Sequence, residues 1–206
     1  MRFQQRRHAS GPGKLRLNLS DRFSFTLAGD YSDNDGIPAL NSKIIAVRPG
    51  FTLPLNTDVL SNAYRASTDY PASANLRNAG VSLNAEVKVL DDVSLQSITA
   101  YRDNRAQNTL DTDGTELRLR ESAIIETQDQ FTQEILANFS NSRLKAVVGL
   151  FYLEENVDTC CTVNTVLANQ QLVLLPEMST KSYSAFGNAR PSISPIVCRR
   201  APGPAM

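Results

Sequence analysis

Two acidic tetrads, Asp33-Asn34-Asp35-Gly36 and Asp111-Thr112-Asp113-Gly114, come closest in this chain to residues that could do chemistry. Alternate carboxylates closed by a glycine begin a calcium loop, because hard oxygen donors must converge on one cation across a sharp turn. An EF-hand needs a further Asp two positions earlier, where Tyr31 and Thr109 stand instead. The tetrads therefore read as acidic turns where strands enter loops, since Asp, Asn and Gly favour turn backbone. Cys160 and Cys161 are adjacent, which makes neither a C-x-x-C redox pair nor a zinc knuckle, and Cys198 lies far downstream. In an oxidising compartment they read as incidental or loop-stapling cysteines. His8 is the single histidine, so a His-based triad or zinc site has almost no material. No glycine-rich phosphate loop and no glycosidase-like carboxylate pair appears. The sequence offers no catalytic, cofactor-binding or metal-ligating residue and reads as a non-enzyme.

What would position these residues is a series of strands. Ser20-Asp21-Arg22, Asp91-Asp92 and Asn141-Ser142 are tight turns, each between two alternating runs. Leu15, Leu17 and Leu19 alternate with Arg16 and Asn18, and Phe23, Phe25 and Leu27 follow the first turn. Val81, Leu83, Ala85, Val87 and Val89 make the cleanest period-two run. Val93 and Leu95, then Phe131, Ile135, Ala137 and Phe139, then Leu144, Ala146, Val148 and Leu150 continue the pattern. A last run spans Ser179–Ala189. Between hairpins the gaps are long and polar: Asn34–Asn75, Asn108–Ile125 and Val157–Met178. Short turns at one end and long loops at the other are the wiring of an outer-membrane β-barrel.

Tyrosine placement sharpens this. Tyr31 lies nine residues after Arg22, Tyr101 nine after Asp92 and Tyr152 nine after Arg143. Nine steps of ~3.3 Å run roughly 30 Å, or ~23 Å along the membrane normal at a tilt of about 40°, near the ~25 Å apolar band of such barrels. The tyrosines are expected at the rim nearest the long loops, with Phe23 and Phe139 at the opposite rim.

Composition agrees without deciding. Formal net charge is zero and Lys and Arg are scattered, so no nucleic-acid footprint is present. No stretch approaches the ~18 apolar residues of a membrane-spanning helix, a test that barrel strands evade because alternate residues face the lumen. Residues 1–13 carry basic residues without an apolar run behind them and are expected to be irregular. After Ala189 the alternation collapses into Arg190-Pro191, Ser194-Pro195 and Pro202-Gly203-Pro204, so residues 190–206 are expected to be an irregular tail of the kind a shifted reading frame leaves.

Several blocks resemble the barrel of TonB-dependent receptors. They are Ser97-Ile98-Thr99-Ala100-Tyr101-Arg102-Asp103, Asp111-Thr112-Asp113-Gly114 and Asp129-Gln130-Phe131-Thr132-Gln133-Glu134. Val147-Val148-Gly149-Leu150-Phe151-Tyr152 with Glu154-Glu155, and Ser182-Tyr183-Ser184-Ala185-Phe186-Gly187, complete the set in the same order and spacing. The resemblance covers residues 14–189 and implies part of a wide, plugged barrel of about 22 strands. It also implies active uptake of siderophores, vitamin B12 or other scarce nutrients across a Gram-negative outer membrane, with outer-membrane lipid and the TonB system as partners of the full-length parent. Plug and TonB box are missing from this sequence, so no energy-coupling residue carries over.

The expectation is an all-β chain: an incomplete antiparallel up-and-down transmembrane β-barrel of about seven strands, with no cofactor. Rival readings are a soluble extracellular β-sandwich binding module and a smaller passive porin-like channel. The loop mixture of Lys43, Arg48, Arg65, Asp58 and Asp69 names no ligand.

Overall fold

The computed structural model of the protein describes residues 7–38, 68–114 and 118–191. The expected β architecture is present. One antiparallel sheet contains β1 (Arg7–Ser20), β2 (Phe23–Gly36), β3 (Ser73–Leu90), β4 (Val93–Asp111), β5 (Arg120–Ser140), β6 (Leu144–Thr165), β7 (Gln170–Leu174) and β8 (Glu177–Pro191). Each strand pairs with its sequence neighbour, except that β7 and β8 both pair with β6. The sheet does not close, and β1 and β8 are its edges.

Strand β6 is flanked by β5 along one side and by β7 and β8 along the other. Cys161 faces Leu174 and Asp158 faces Glu177, so the register is unbroken between β7 and β8. The Thr159 N–H donates to the Pro176 carbonyl (3.0 Å) across the interruption. β7 and β8 therefore form one long strand broken at Leu175-Pro176, where proline removes a ladder donor. The eight strands occupy seven positions.

Two of the three tight turns leave two residues outside the strands, Asp21-Arg22 and Asp91-Asp92. Both are preceded by a register shift, at Asn18/Ser20 and at Lys88/Leu90, which adds local twist beside the turn. In the third, the Asn141 side chain accepts from the N–H groups of Arg143 (2.9 Å) and Leu144 (2.8 Å), a local substitute for ladder bonds.

At the other end the strands run further than alternation predicted. β4 continues to Asp111 and β5 begins at Arg120, shortening the Asn108–Ile125 gap. The Val157–Met178 gap is largely not a loop: β6 extends to Thr165, turns through a 3-10 segment at Val166–Ala168, and returns as β7. Asn169 closes that turn in the left-handed region (φ 48°), which Asn tolerates. The sequence hid this hairpin because Val157–Thr165 alternates poorly. Arg7–Gly13, expected to be irregular, is paired strand, and β8 includes Arg190 and Pro191. Both Pro12 and Pro191 lie on edge strands, where a lost donor is tolerated. Met1–Arg6, most of the long Asn34–Asn75 gap and the tail beyond Pro191 lie outside the described residues.

No apolar side chain is buried among the described residues. A sheet with no second layer has no core of its own. Its two faces decide what it can do.

Candidate functional site

Directly opposed residues in an antiparallel sheet point to the same side, and residues two apart along a strand share a side. Propagating these rules through the register puts Leu15, Leu17, Leu27, Val81, Leu83, Leu95, Ile135, Val148 and Leu150 on one face, between the tight turns and the tyrosines. All are exposed, from Leu95 at 41% to Val148 at 60%. The opposite face of the same stretch carries Arg16, Asn18, Ser24, Thr26, Ser82, Asn84, Glu86 and Lys88. On that polar face Gln96 donates to Asn84 (3.0 Å) and Asn104 to Gln128 (2.9 Å). One side is thus apolar apart from three side chains, and the other is polar across β1–β3, with Ile98, Leu136, Phe151 and Phe186 on it farther along the sheet. Soluble monomers rarely leave an apolar patch of that extent bare.

The apolar face has three polar members, and they satisfy one another. Thr99 donates to the Gln133 side-chain oxygen (2.6 Å), and the Gln133 amide donates to Ser97 (2.9 Å). Grouping them on adjacent strands lets each find a partner without water.

Tyr31, Tyr101 and Tyr152 all lie on the apolar face at its loop end, and Phe131 and Tyr183 join them. Ring centroids of Phe131 and Tyr152 are 6.2 Å apart, and those of Tyr152 and Tyr183 are 5.0 Å apart. At the turn end of this face Phe23 packs edge-on against Phe25 at 4.4 Å, and Phe139 stands opposite Val93 and Ala146.

The register adds what spacing alone could not. Tyr31 faces Ala79, which faces Asp103, two residues past Tyr101. Tyr101 faces Phe131, which faces Glu154, two residues past Tyr152. From β2 to β4, and again from β4 to β6, the tyrosine steps two residues toward the tight turns. Two residues are ~6.6 Å along a strand and two strand spacings are ~9.6 Å, so the tyrosine line crosses the sheet's rows at about 35°. Strands of membrane barrels tilt ~35–45°, and a plane parallel to the membrane would cross their rows at that angle.

Above the line the face turns charged. Tyr31 donates to Asp33 (3.3 Å) and Tyr152 donates to Glu154 (2.6 Å), each an acid two residues nearer the loops. The hydroxyls therefore point away from the apolar band. A Tyr-x-acid triplet also occurs at Tyr101-Arg102-Asp103, so the motif repeats on β2, β4 and β6. That repeat was readable in the sequence and is a signal additional to the tyrosine spacing. Glu154 also pairs with Lys181 (3.0 Å), and Asp33 with Arg77 (3.5 Å). Donation from Tyr152, and then from Lys181, holds the Glu154 carboxyl below its ordinary range, while Glu154 raises Lys181.

The acidic tetrads have separate fates. Asp33–Gly36 is not a turn: it lies within β2 and pairs with residues of β3. Asp111 ends β4, and its side chain accepts from the N–H groups of Asp113 (3.0 Å) and Gly114 (3.2 Å), while Asp113 accepts from the Arg120 N–H (2.8 Å). Gly114 takes φ 68°, a backbone few side chains tolerate. Opposite Asp111, Glu121 is held by both prongs of the Arg118 guanidinium. These carboxylates bind backbone and arginine, and among the described residues no group of three or more His, Cys, Asp or Glu is placed to hold a metal. Asp69, at the return of the long gap, is raised by burial and by Asp111, Asp113 and Glu121.

His8 lies in β1, its ring nitrogens engaged by Asn34 and Ser10. Cys160 and Cys161 are free, half-buried neighbours on β6 that point to opposite faces. Cys198, Lys43, Arg48, Asp58 and Arg65 lie outside the described residues. Compared with known proteins, the chain matches no family model and no curated sequence.

Proposed function

We propose that this chain forms part of the wall of an outer-membrane β-barrel, its apolar face toward lipid and its polar face toward the lumen. The observation that carries the reading is the inclined tyrosine line. Aromatic residues favour the membrane interface, and a line of them oblique to the sheet is expected only where strands stand tilted in a planar solvent. Support also comes from the bare apolar face, the mutually bonded polar residues within it, and hydroxyls directed toward charged side chains beyond the rim. A soluble sandwich would need a second sheet packed on one of these faces.

Within that architecture, the blocks around Tyr101, Asp111, Phe131, Tyr152 and Tyr183 resemble TonB-dependent receptors. The function we propose is a share in active uptake of a siderophore or another scarce nutrient by the full-length parent.

Fractionation tests the membrane reading. The chain is expected with outer membranes, resistant to carbonate extraction and soluble only in detergent; a water-soluble monomer would overturn it. Uptake is tested by deleting the gene and supplying siderophores and vitamin B12 singly as limiting sources. TonB-dependent growth on one of them should be lost, and unchanged growth on all would remove the transport reading.

A further inference from the structure

The polar face has a hollow at the level of Tyr101. Ala28, Ser82, Ala100 and Thr132 are directly opposed on β2, β3, β4 and β5, so they form one row of short side chains. The next row toward the loops carries Asp30, Gly80, Arg102 and Gln130. Long side chains beside a row of short ones leave a space of about 120 Å³, bounded by Ala28, Ser82, Ala100, Arg102, Gln130 and Thr132 together with Asp30. At ~30 Å³ per water that is room for about four waters, or for the head of a small solute.

Hydrogen-bond donors dominate its wall. Arg102 gives one N–H to Asp30 (2.9 Å), which holds the guanidinium over Gly80 with its other donors unused. Gln130, Ser82 and Thr132 add an amide and two hydroxyls, and among the described residues none of these three side chains has a hydrogen-bond partner. The one carboxylate lining the space, Asp30, is already paired with Arg102. Glu155, opposite Gln130, already accepts from Gln128, and Glu134 stands one row nearer the tight turns. Lys14, opposite Ala28, puts a second cation at the β1 end of the short row.

We infer that this hollow binds the carboxylate group of a small polar solute through the free donors of Arg102, with Gln130, Ser82 and Thr132 completing its hydrogen bonds. A planar carboxylate takes two parallel N–H bonds from a guanidinium and keeps lone pairs for an amide and hydroxyls. A cationic group would instead meet the guanidinium at close range. The inference names a class of solute for the uptake proposed above and rests on that reading for placing the hollow on the lumen side; the binding is measured independently of it.

The test is calorimetric titration of the full-length protein, purified from cells carrying its own gene, with succinate and with its neutral diamide, succinamide. Succinate is expected to bind and succinamide not to. Arg102→Gln should weaken succinate at least about tenfold, the loss expected of a hydrogen bond to a charged group. Ala100→Leu fills the short row without altering Arg102 or Asp30 and should also weaken it. Asp30→Asn should tighten binding about two- to fivefold, because an exposed ion pair no longer competes for the guanidinium. A folding defect would weaken all three variants, so the opposite sign at Asp30 separates a binding site from a structural effect. Equal binding of the two probes, binding of neither, succinate binding that ignores Arg102→Gln, or no tightening in Asp30→Asn would overturn the inference. The expected pattern in a water-soluble chain would leave the inference standing and remove the membrane reading.

Discussion

Arg102 and Asp30 are joined at 2.9 Å although an entire strand lies between them. Asp30 on β2 faces Gly80 on β3, which faces Arg102 on β4. The guanidinium crosses over Gly80 because nothing projects there. A Cβ at that position would lie 2.9 Å from both the Arg102 Nη2 and the Asp30 Oδ1. The glycine is thus a passage for a three-strand polar link on the polar face.

Gly80→Val is expected to open this pair. Both side chains are nearly half exposed, so the loss should be small, about 0.2–1 kcal/mol. Asp30→Asn should cost a similar amount in the parent sequence and almost nothing in the Gly80→Val background. Unfolding midpoints of the two single variants and the double variant in detergent measure this; additive losses would show that Gly80 does not serve the pair.

The two faces should respond oppositely to charge. Leu27 lies midway between the first tight turn and the tyrosine line on the apolar face, and Thr26 is its neighbour on the polar face. Leu27→Arg is expected to cost ~2–4 kcal/mol of membrane stability, as arginine does at the lipid midplane of a barrel, whereas Thr26→Arg should be nearly neutral. Refolding equilibria into lipid vesicles distinguish them, and equal effects would contradict the face assignment.

Gly149 sits beneath the Phe186 ring, and a Cβ there would also approach Leu136 Cδ2 to 2.8 Å. Leu136, Gly149 and Phe186 form one cross-strand row, so a larger residue must push Phe186 away. Gly149→Val is expected to cost about 1–3 kcal/mol by overpacking and to raise amide exchange selectively in β8. Phe186→Ala in the same background should recover part of the loss.

Acid should loosen the loop end of the same edge. Glu154 has its carboxyl held low in the folded chain by Tyr152 and Lys181. A carboxyl depressed on folding contributes stability above its unfolded pKa and loses it as pH falls through the folded value. Lys181 is raised, so its share is present below its unfolded pKa and fades as pH rises through the folded value. The link should hold across neutral pH and fail below the ordinary carboxylate range and again in strong alkali. Amide exchange around Ser179–Lys181 against pH reads this, and Glu154→Gln should abolish the acid limb.

Much of the architecture was legible in local pattern. The Val81–Val89 alternation marks a strand with two unlike faces, because successive side chains point to opposite sides whatever the strand pairs with. Asp91-Asp92 marks its end, and the nine-residue interval after that turn puts Tyr101 on the apolar face of the next strand. Legibility failed at Val157–Thr165, which alternates poorly and read as loop, yet it is paired strand. It failed again at Asp33–Gly36, whose turn-like composition is overridden by fourteen consecutive pairings between β2 and β3.

The sequence by itself determined which side chains share a face and how far each tyrosine lies from its turn, since both follow from period two and residue count within one strand. Only the tertiary structure decided the register between strands, a relation between distant segments that no single segment encodes. From register came the oblique tyrosine line, the route of Arg102 over Gly80, the union of β7 and β8 into one strand, and the parallel direction of the two open edges.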